Sequence, residues 1–182
     1  MVILRGIARG AKLAVFDVGA DGDGTAVSLP YPDGSVMWDA SRAAGAAVHS
    51  NSWGYWLCGV DQETFFNDKY LYENPGHVLV FAAGNDGDVT PTGECSVMSP
   101  ATGKNAIAVG STISGRLRYS FGATLDEVSD FSGRGPVSDG RVKPDVVAPG
   151  EYIISARGAG YGGRETCELN VMAGGYSAAY PL

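Results

Sequence analysis

One serine in the sequence has the neighbours that a nucleophile needs. Ser177 follows Gly174 and Gly175 and precedes two alanines, with Pro181 four residues further on. Glycines before a serine let the backbone turn sharply and expose the hydroxyl. Small residues after it suit the start of a buried helix, whose N-terminal N–H groups favour developing negative charge. The pattern predicts nucleophilic chemistry at Ser177, although an ordinary glycine–serine turn has the same sequence.

A second polar residue stands where a hydrogen-bond donor could stabilise a negative charge. Asn85 follows Ala82-Ala-Gly84 at the end of an apolar run. From such a position the side-chain amide can donate to an oxyanion, an interaction worth about 3–4 kcal/mol in a transition state. The alternative interpretation is an Asn-Asp-Gly turn between two elements.

A third segment has the composition of a peptide-binding strand. Ser50-Asn-Ser-Trp-Gly54 is short, contains small residues and closes with a glycine. Such a strand can pair through its main chain with an extended peptide. The alternative interpretation is an ordinary strand end.

Short apolar runs and helical stretches alternate along the chain, and they predict the elements that position these segments. Continuous apolar strands separated by helices are typical of a parallel sheet, so the fold class is α/β, with a mainly parallel twisted sheet and helices on both faces. In such sheets functional loops gather at the carboxyl ends of the strands. Strands are predicted at 12–18, 48–50, 78–83, 106–110, 128–131, 146–148 and 152–155, and helices at 36–45 and 64–73, the second with Phe65, Phe66, Tyr70 and Leu71 on one face.

The composition excludes several classes of protein. A chain of 182 residues fits one domain, and 45% hydrophobic with 18% charged residues excludes intrinsic disorder. The net charge of −7 argues against nucleic acid or an anionic membrane as a partner. No apolar run approaches the roughly 18 residues of a membrane-spanning helix. The three cysteines (Cys58, Cys95, Cys167) lack the spacing of a zinc site, and both one disulfide with one free thiol and three buried thiols remain open.

Several segments, taken together and in order, resemble the subtilisin-like serine proteases. The resemblance extends over nearly the whole chain and begins at Gly6-Ile-Ala-Arg-Gly-Ala-Lys-Leu13, which is similar to the segment after the family's histidine helix. Its other motifs are Val48-His-Ser-Asn-Ser-Trp-Gly54, Phe81-Ala-Ala-Gly-Asn-Asp-Gly87, Ser99-Pro-Ala-Thr-Gly-Lys-Asn-Ala-Ile-Ala-Val-Gly110, Phe131-Ser-Gly-Arg-Gly-Pro136, Asp139-Gly-Arg-Val-Lys-Pro-Asp-Val-Val-Ala-Pro-Gly150 and Gly175-Tyr-Ser-Ala-Ala-Tyr-Pro181.

The resemblance implies a role for each of the three segments. Ser177 corresponds to the nucleophile and Asn85 to the side-chain oxyanion donor. Two backbone walls hold the substrate and its side-chain pocket, and no metal-ligating residue is assigned. The substrate-binding residues of these walls are Ser50, Asn51, Ser52, Trp53 and Gly54 in the first, and Ala82, Ala83 and Gly84 in the second.

The chain also departs from the family pattern. Tyr176 stands where the family has threonine, and Ala178 where it has methionine. The aspartate motif and the His-Gly-Thr-His motif are absent. The resemblance therefore implies that residues 1–182 are a partial peptidase domain, which begins after these two motifs and ends just after the nucleophile.

Two histidines and one acidic turn have competing interpretations. Asp17 and His49 imitate a catalytic pair, but His49 lies one residue from the substrate strand region, and we interpret it, like His77, as structural. Asp21-Gly-Asp-Gly24 could hold a structural calcium ion of the kind that many family members carry. It lacks a bidentate glutamate, so a plain acidic turn is favoured and no cofactor is required.

The function expected from the resemblance is that of a hydrolase. We expect a serine endopeptidase that acts on polypeptides through an acyl-enzyme, with no nucleic-acid or membrane partner. The isolated chain, lacking the aspartate and histidine of the triad, is expected to be inactive. The alternative is a non-catalytic, peptide-binding relative. The resemblance alone suggests that the protein is secreted. It does not place the floor of the side-chain pocket within the variable stretch 86–97.

Overall fold

The core of the structure is a four-stranded parallel sheet. The computed structural model describes residues 7–18, 30, 34–91, 94–114, 127–156 and 169–171. The sheet contains β1 (Val48–Asn51), β2 (Val78–Ala82), β3 (Ile107–Ile113) and β4 (Val146–Glu151), which lie side by side in chain order. All three pairings are parallel. A second, antiparallel pair is formed by β5 (Ile154–Ala156) and β6 (Leu169–Val171).

Two helices pack against this sheet. The first, α1 (Ser35–Ala43), precedes β1, and its end is marked by Gly45 at φ +82°, a conformation that favours glycine. The second, α2 (Gln62–Glu73), connects β1 to β2 and begins at Asp61, whose carboxylate accepts a hydrogen bond from the Thr64 N–H at 2.8 Å. Parallel strands need a crossover of this kind between them.

The hydrophobic core lies between the helices and one face of the sheet. Met37 and Trp38 of α1 are almost completely buried, and they pack with Leu79 and Phe81 of β2. The Trp38 indole also donates a hydrogen bond to Oδ1 of Asn67 on α2, at 3.0 Å. The two helices are thus joined across the core. Among the described residues, no helix is long and apolar enough to cross a membrane.

The α/β class and the parallel sheet are confirmed, as are most of the predicted elements. Four strand predictions correspond to β1 to β4, the prediction for 152–155 to β5, and both helices form within a few residues of the expected bounds. The described helices cover one face of the sheet, and the covering of the other face stays a prediction.

Two predicted strands are wrong. Residues 12–18 form no strand, and Leu13 and Val15 are about nine-tenths exposed. A short apolar run forms a strand only with a neighbour to pair with, and no described strand runs beside this one. Residues 128–131 form only the isolated bridge between Val128 and Thr112.

The buried face of α2 differs in part from the prediction: Leu71 is buried in the core and Tyr70 packs against it, as expected. Phe65 is more than half exposed, whereas Asn67 and Asp68 are buried. The reason is that the surroundings offer hydrogen bonds: Asp68 accepts from the backbone N–H groups of Lys104 and Asn105, at 3.1 and 2.8 Å. Buried polar groups with such partners replace apolar ones at little cost.

Candidate active site

The parallel register brings the two predicted walls to the same edge of the sheet. Ser50 lies beside Val80 and Asn51 beside Phe81. The carboxyl ends of β1 and β2 therefore coincide, and residues 52–54 and 83–85 leave the sheet next to each other. We call residues 50–54 the first wall and residues 82–84 the second wall.

The first wall is anchored by its buried side chains. The Asn51 amide is almost fully buried and donates to the Val80 carbonyl oxygen at 3.1 Å, while the Trp53 ring packs edge-on against Phe81, with centroids 5.3 Å apart. By contrast, no backbone hydrogen bond from residues 52–54 to another described residue is found. Within the described part of the chain, the main chain of residues 52–54 is therefore available to pair with a peptide.

The second wall is held from both sides. The Ala83 N–H donates to the Val109 carbonyl oxygen of β3 at 3.0 Å, and the Gly84 carbonyl oxygen accepts from the Gly133 N–H at 3.0 Å. Gly84 is buried at φ +108°, where a side chain would be strained. A Cβ at Gly133 would lie only 2.4 Å from the Ala83 oxygen, so the two loops pack directly backbone to backbone.

Asn85 follows the second wall at the same edge of the sheet. Its side chain is half-buried, Oδ1 has no hydrogen-bond partner, and no bond from its amide to any other described residue is found. An amide without a protein partner is available to a ligand. Next to it, burial raises the pKa of Asp86, and the carboxylate of Asp88 adds to this effect.

The rings of the two histidines pack against aromatic side chains. The His49 ring packs edge-on against Trp38 at 4.6 Å on the helix side of the sheet, and burial lowers its pKa. His77 precedes β2 and so lies at the amino end of that strand, opposite Asn85. Its ring contacts Tyr70, and neither ring nitrogen has a hydrogen-bond partner among the described residues.

Several of the predicted site residues lie outside the described residues. These are the nucleophile Ser177, its neighbours Tyr176 and Ala178, and the acidic turn at 21–24. Their roles stay predictions. No group of three or more potential metal ligands is found in the described part of the chain.

The position of Met98 was missed by the sequence analysis, and the pairing of the cysteines was left open. Cys58, after the first wall, and Cys95, after the second, form a disulfide with Cα atoms 5.9 Å apart. Met98 lies between the walls: a Cβ added at Gly54 would be 3.3 Å from Met98 Cβ, and one added at Gly84 would be 2.7 Å from Met98 Cγ. Neither feature has a local sequence signal, because both arise from loops that meet only in the folded chain.

The chain matches a known protein family. The family model described as "Subtilase family" matches residues 2–179. Pyrolysin from Pyrococcus furiosus is 34% identical over 197 residues, which cover 93% of this chain and 13% of pyrolysin. The "Serine protease/ABC transporter B family protein tagD" from Dictyostelium discoideum is 27% identical over 233 residues, covering 89% of this chain and 12% of that protein.

Among solved structures, the chain is similar to the prenylagaramide maturation protease PagA. The TM-score is 0.53 with 22% identity, over 79% of this chain and 44% of PagA. At that identity the likeness concerns the fold. The chain thus spans less than half of this structural relative, and only 12–13% of tagD and pyrolysin.

Proposed function

The chain belongs to the subtilase family of serine peptidases, and from that premise we propose that it carries the nucleophile, the oxyanion donor and the substrate walls of a serine endopeptidase. Residues 1–182 are, in this proposal, a partial peptidase domain. The observation that carries the proposal is the register of β1 and β2, which brings an unbonded asparagine amide and a free length of backbone to one edge.

The proposed chemistry assigns one task to each of these groups. A peptide extends along the first wall and pairs with the main chain of residues 52–54. The Ser177 hydroxyl attacks the carbonyl carbon, and the Asn85 amide donates to the oxygen, which becomes negative in the tetrahedral intermediate. Collapse of the intermediate breaks the C–N bond, releases the amine and leaves an acyl-enzyme, which water hydrolyses.

A serine hydroxyl also needs a base to accept its proton. His49 and His77 are the only histidines in these 182 residues; the His49 ring packs against Trp38, and His77 lies at the amino end of β2, opposite Asn85. We therefore propose that the isolated chain is close to inactive and that the base comes from elsewhere in the full gene product. Loss of the base costs about 10⁶ in turnover, a magnitude known from another member of this family.

Labelling with a fluorophosphonate tests this proposal. The probe should react with the full gene product at Ser177, as located by mass spectrometry of the digested protein, and a Ser177→Ala variant should not react. The isolated 182-residue chain should react far more slowly. A full gene product that binds peptides but never reacts would instead be the non-catalytic relative, and modification of a different serine would remove Ser177 from the mechanism.

A further inference from the structure

Met98 spans the space between the two walls. Its Cβ faces the first wall, since a Cβ built at Gly54 would lie 3.3 Å from it. Its Cγ and Sδ face the second wall, since a Cβ built at Gly84 would lie 2.7 and 2.9 Å from them. A Cβ at either glycine would therefore point towards the same methionine. The gap between the walls is therefore occupied by a side chain from a third segment.

The backbone of this third segment, residues 98–99, is bonded to the second wall and to residues that follow the first wall. The Met98 N–H donates to the Ala83 carbonyl oxygen at 2.9 Å. The next residue, Ser99, accepts from the Tyr55 N–H at 2.8 Å and donates to the Leu57 carbonyl oxygen at 2.9 Å. The Cys58–Cys95 disulfide adds a covalent link three residues before Met98. Any room for a ligand between the walls must therefore come from movement of the methionine side chain and not of its backbone.

Each wall is in contact with a further segment. The second wall is backed by Gly133, whose N–H donates to the Gly84 carbonyl oxygen. On the other side, a Cβ at Gly54 would lie 2.8 Å from the Ser99 oxygen, so the first wall already touches the third segment. A peptide side chain that enters between the walls thus meets the thioether of Met98, which is half-buried and partly open to solvent.

From these contacts we propose that Met98 restricts the peptide residue held between the two walls to a small side chain such as that of alanine. The inference rests on the proposed function, because it assumes that the walls bind a peptide. Methionine is unbranched and can change rotamer, so the restriction is graded. Differences of one or a few methylenes in an apolar pocket change selectivity by about 10- to 200-fold, and we expect a preference for alanine over phenylalanine in this range.

A series of peptides that differ only at the residue before the scissile bond tests the inference. With the full gene product, kcat/KM should fall from alanine to leucine to phenylalanine. In the Met98→Gly variant, the ratio of kcat/KM for the phenylalanine peptide to that for the alanine peptide should rise by about 10- to 100-fold. Met98→Ala should give an intermediate ratio, and it replaces Met98→Gly in the assay if glycine unfolds the loop. Met98→Leu, which keeps the volume, should retain the original order.

A binding measurement separates this inference from the proposed function. Product peptides that end in alanine or phenylalanine are titrated calorimetrically into the Ser177→Ala protein, with and without Met98→Gly. If the preference shifts with Met98 in this titration while the full gene product with Ser177 intact cleaves none of the peptides, the inference stands and the endopeptidase proposal fails. If cleavage occurs but selectivity is the same in Met98→Gly and wild type, Met98 is only a packing residue and the inference is overturned. Failure of every peptide to bind would overturn both.

Discussion

The disulfide between Cys58 and Cys95 should contribute a large part of the stability of the site region. It joins the loop that follows the first wall to the loop that follows the second, across 37 residues of sequence. The perturbation is the double variant Cys58→Ser/Cys95→Ser, which replaces both sulfur atoms by hydroxyls of similar shape. In the unfolded state the chain of this variant regains the conformational freedom that the cross-link removes.

The size of the effect follows from the length of the closed loop. For about 37 residues the chain-entropy relation gives an entropy change of about −13 cal/mol/K, which corresponds to about 4 kcal/mol at 25 °C. This is close to a thousandfold change in the unfolding equilibrium, and it is a large fraction of the 5–15 kcal/mol or so that stabilises a typical domain.

Urea unfolding of the full gene product, followed by near-ultraviolet circular dichroism, measures this free energy. The double variant should unfold at clearly lower urea concentration than the wild type, and the wild type treated with a reductant should behave like the variant. Cys167→Ser is the matched control, because Cys58 and Cys95 pair with each other and leave Cys167 outside the bond. The control should keep the disulfide and the wild-type midpoint.

Two results would refute this reasoning. Loss of the cross-link in Cys167→Ser, detected by mass spectrometry without reduction, would show that the pairing is different. A double variant within about 1 kcal/mol of the wild type would show that the backbone hydrogen bonds between the loops suffice, so that the loop-closure argument overestimates the effect.

Three further predictions concern single residues. Asn85→Ala should lower kcat of the full gene product by about 10²- to 10³-fold with little change in KM, a magnitude known from a relative in this family; an unchanged kcat in steady-state assays would exclude Asn85 from the oxyanion site. Burial, with the Arg42 charge, lowers the pKa of His77 below its ordinary value of 6.5. As the pH drops below 6.5, His77 therefore binds a proton in the unfolded chain before it does in the folded protein, and the free energy of unfolding falls. His77→Leu should reduce this fall in denaturant titrations between pH 7 and 5, and an equal fall in both proteins would contradict the prediction. Lys143→Ala should destabilise the protein by about 1–3 kcal/mol, because it leaves the Ala106 carbonyl oxygen without the buried ammonium that donates to it at 3.0 Å and removes the 2.7 Å pair with Asp145; calorimetric melting checks this, and an unaltered Tm would count against it.

The sequence predicts the strands of the sheet because their apolar runs are local signals. The run at 78–82 is an example: alternate residues of β2 are buried, and its ends agree closely with the prediction. The run at 12–18 is also largely apolar, although it contains Lys12 and Asp17, but it forms no strand, because pairing depends on which neighbour is present and not on the run alone. The position of Phe65 on α2 was mispredicted for a related reason. The backbone N–H groups of Lys104 and Asn105 donate to the carboxylate of Asp68, so Asp68 is buried where an aromatic residue was expected.

The candidate site was predictable to the extent that it depends on the order of the strands. Once β1 and β2 are parallel neighbours, the residues after Asn51 and after Ala82 must emerge together. The position of Met98 between Gly54 and Gly84 was not predictable in this way. It depends on the loop at 98–99, which is distant in sequence from the first wall. In the folded chain this loop bonds to the Ala83 carbonyl oxygen and, through Ser99, to the residues that follow Gly54.

The central claim is that the hydroxyl of Ser177 and the amide of Asn85 act on one carbonyl group held along residues 52–54. A crystal structure of the full gene product with a peptide boronic acid tests it most directly. The account predicts a bond from Ser177 Oγ to boron, Asn85 Nδ2 about 2.7–3.1 Å from a boronate oxygen, and inhibitor backbone paired with the first wall. An inhibitor bound to Ser177 with the Asn85 amide beyond hydrogen-bond distance, or with its backbone elsewhere, would contradict the account.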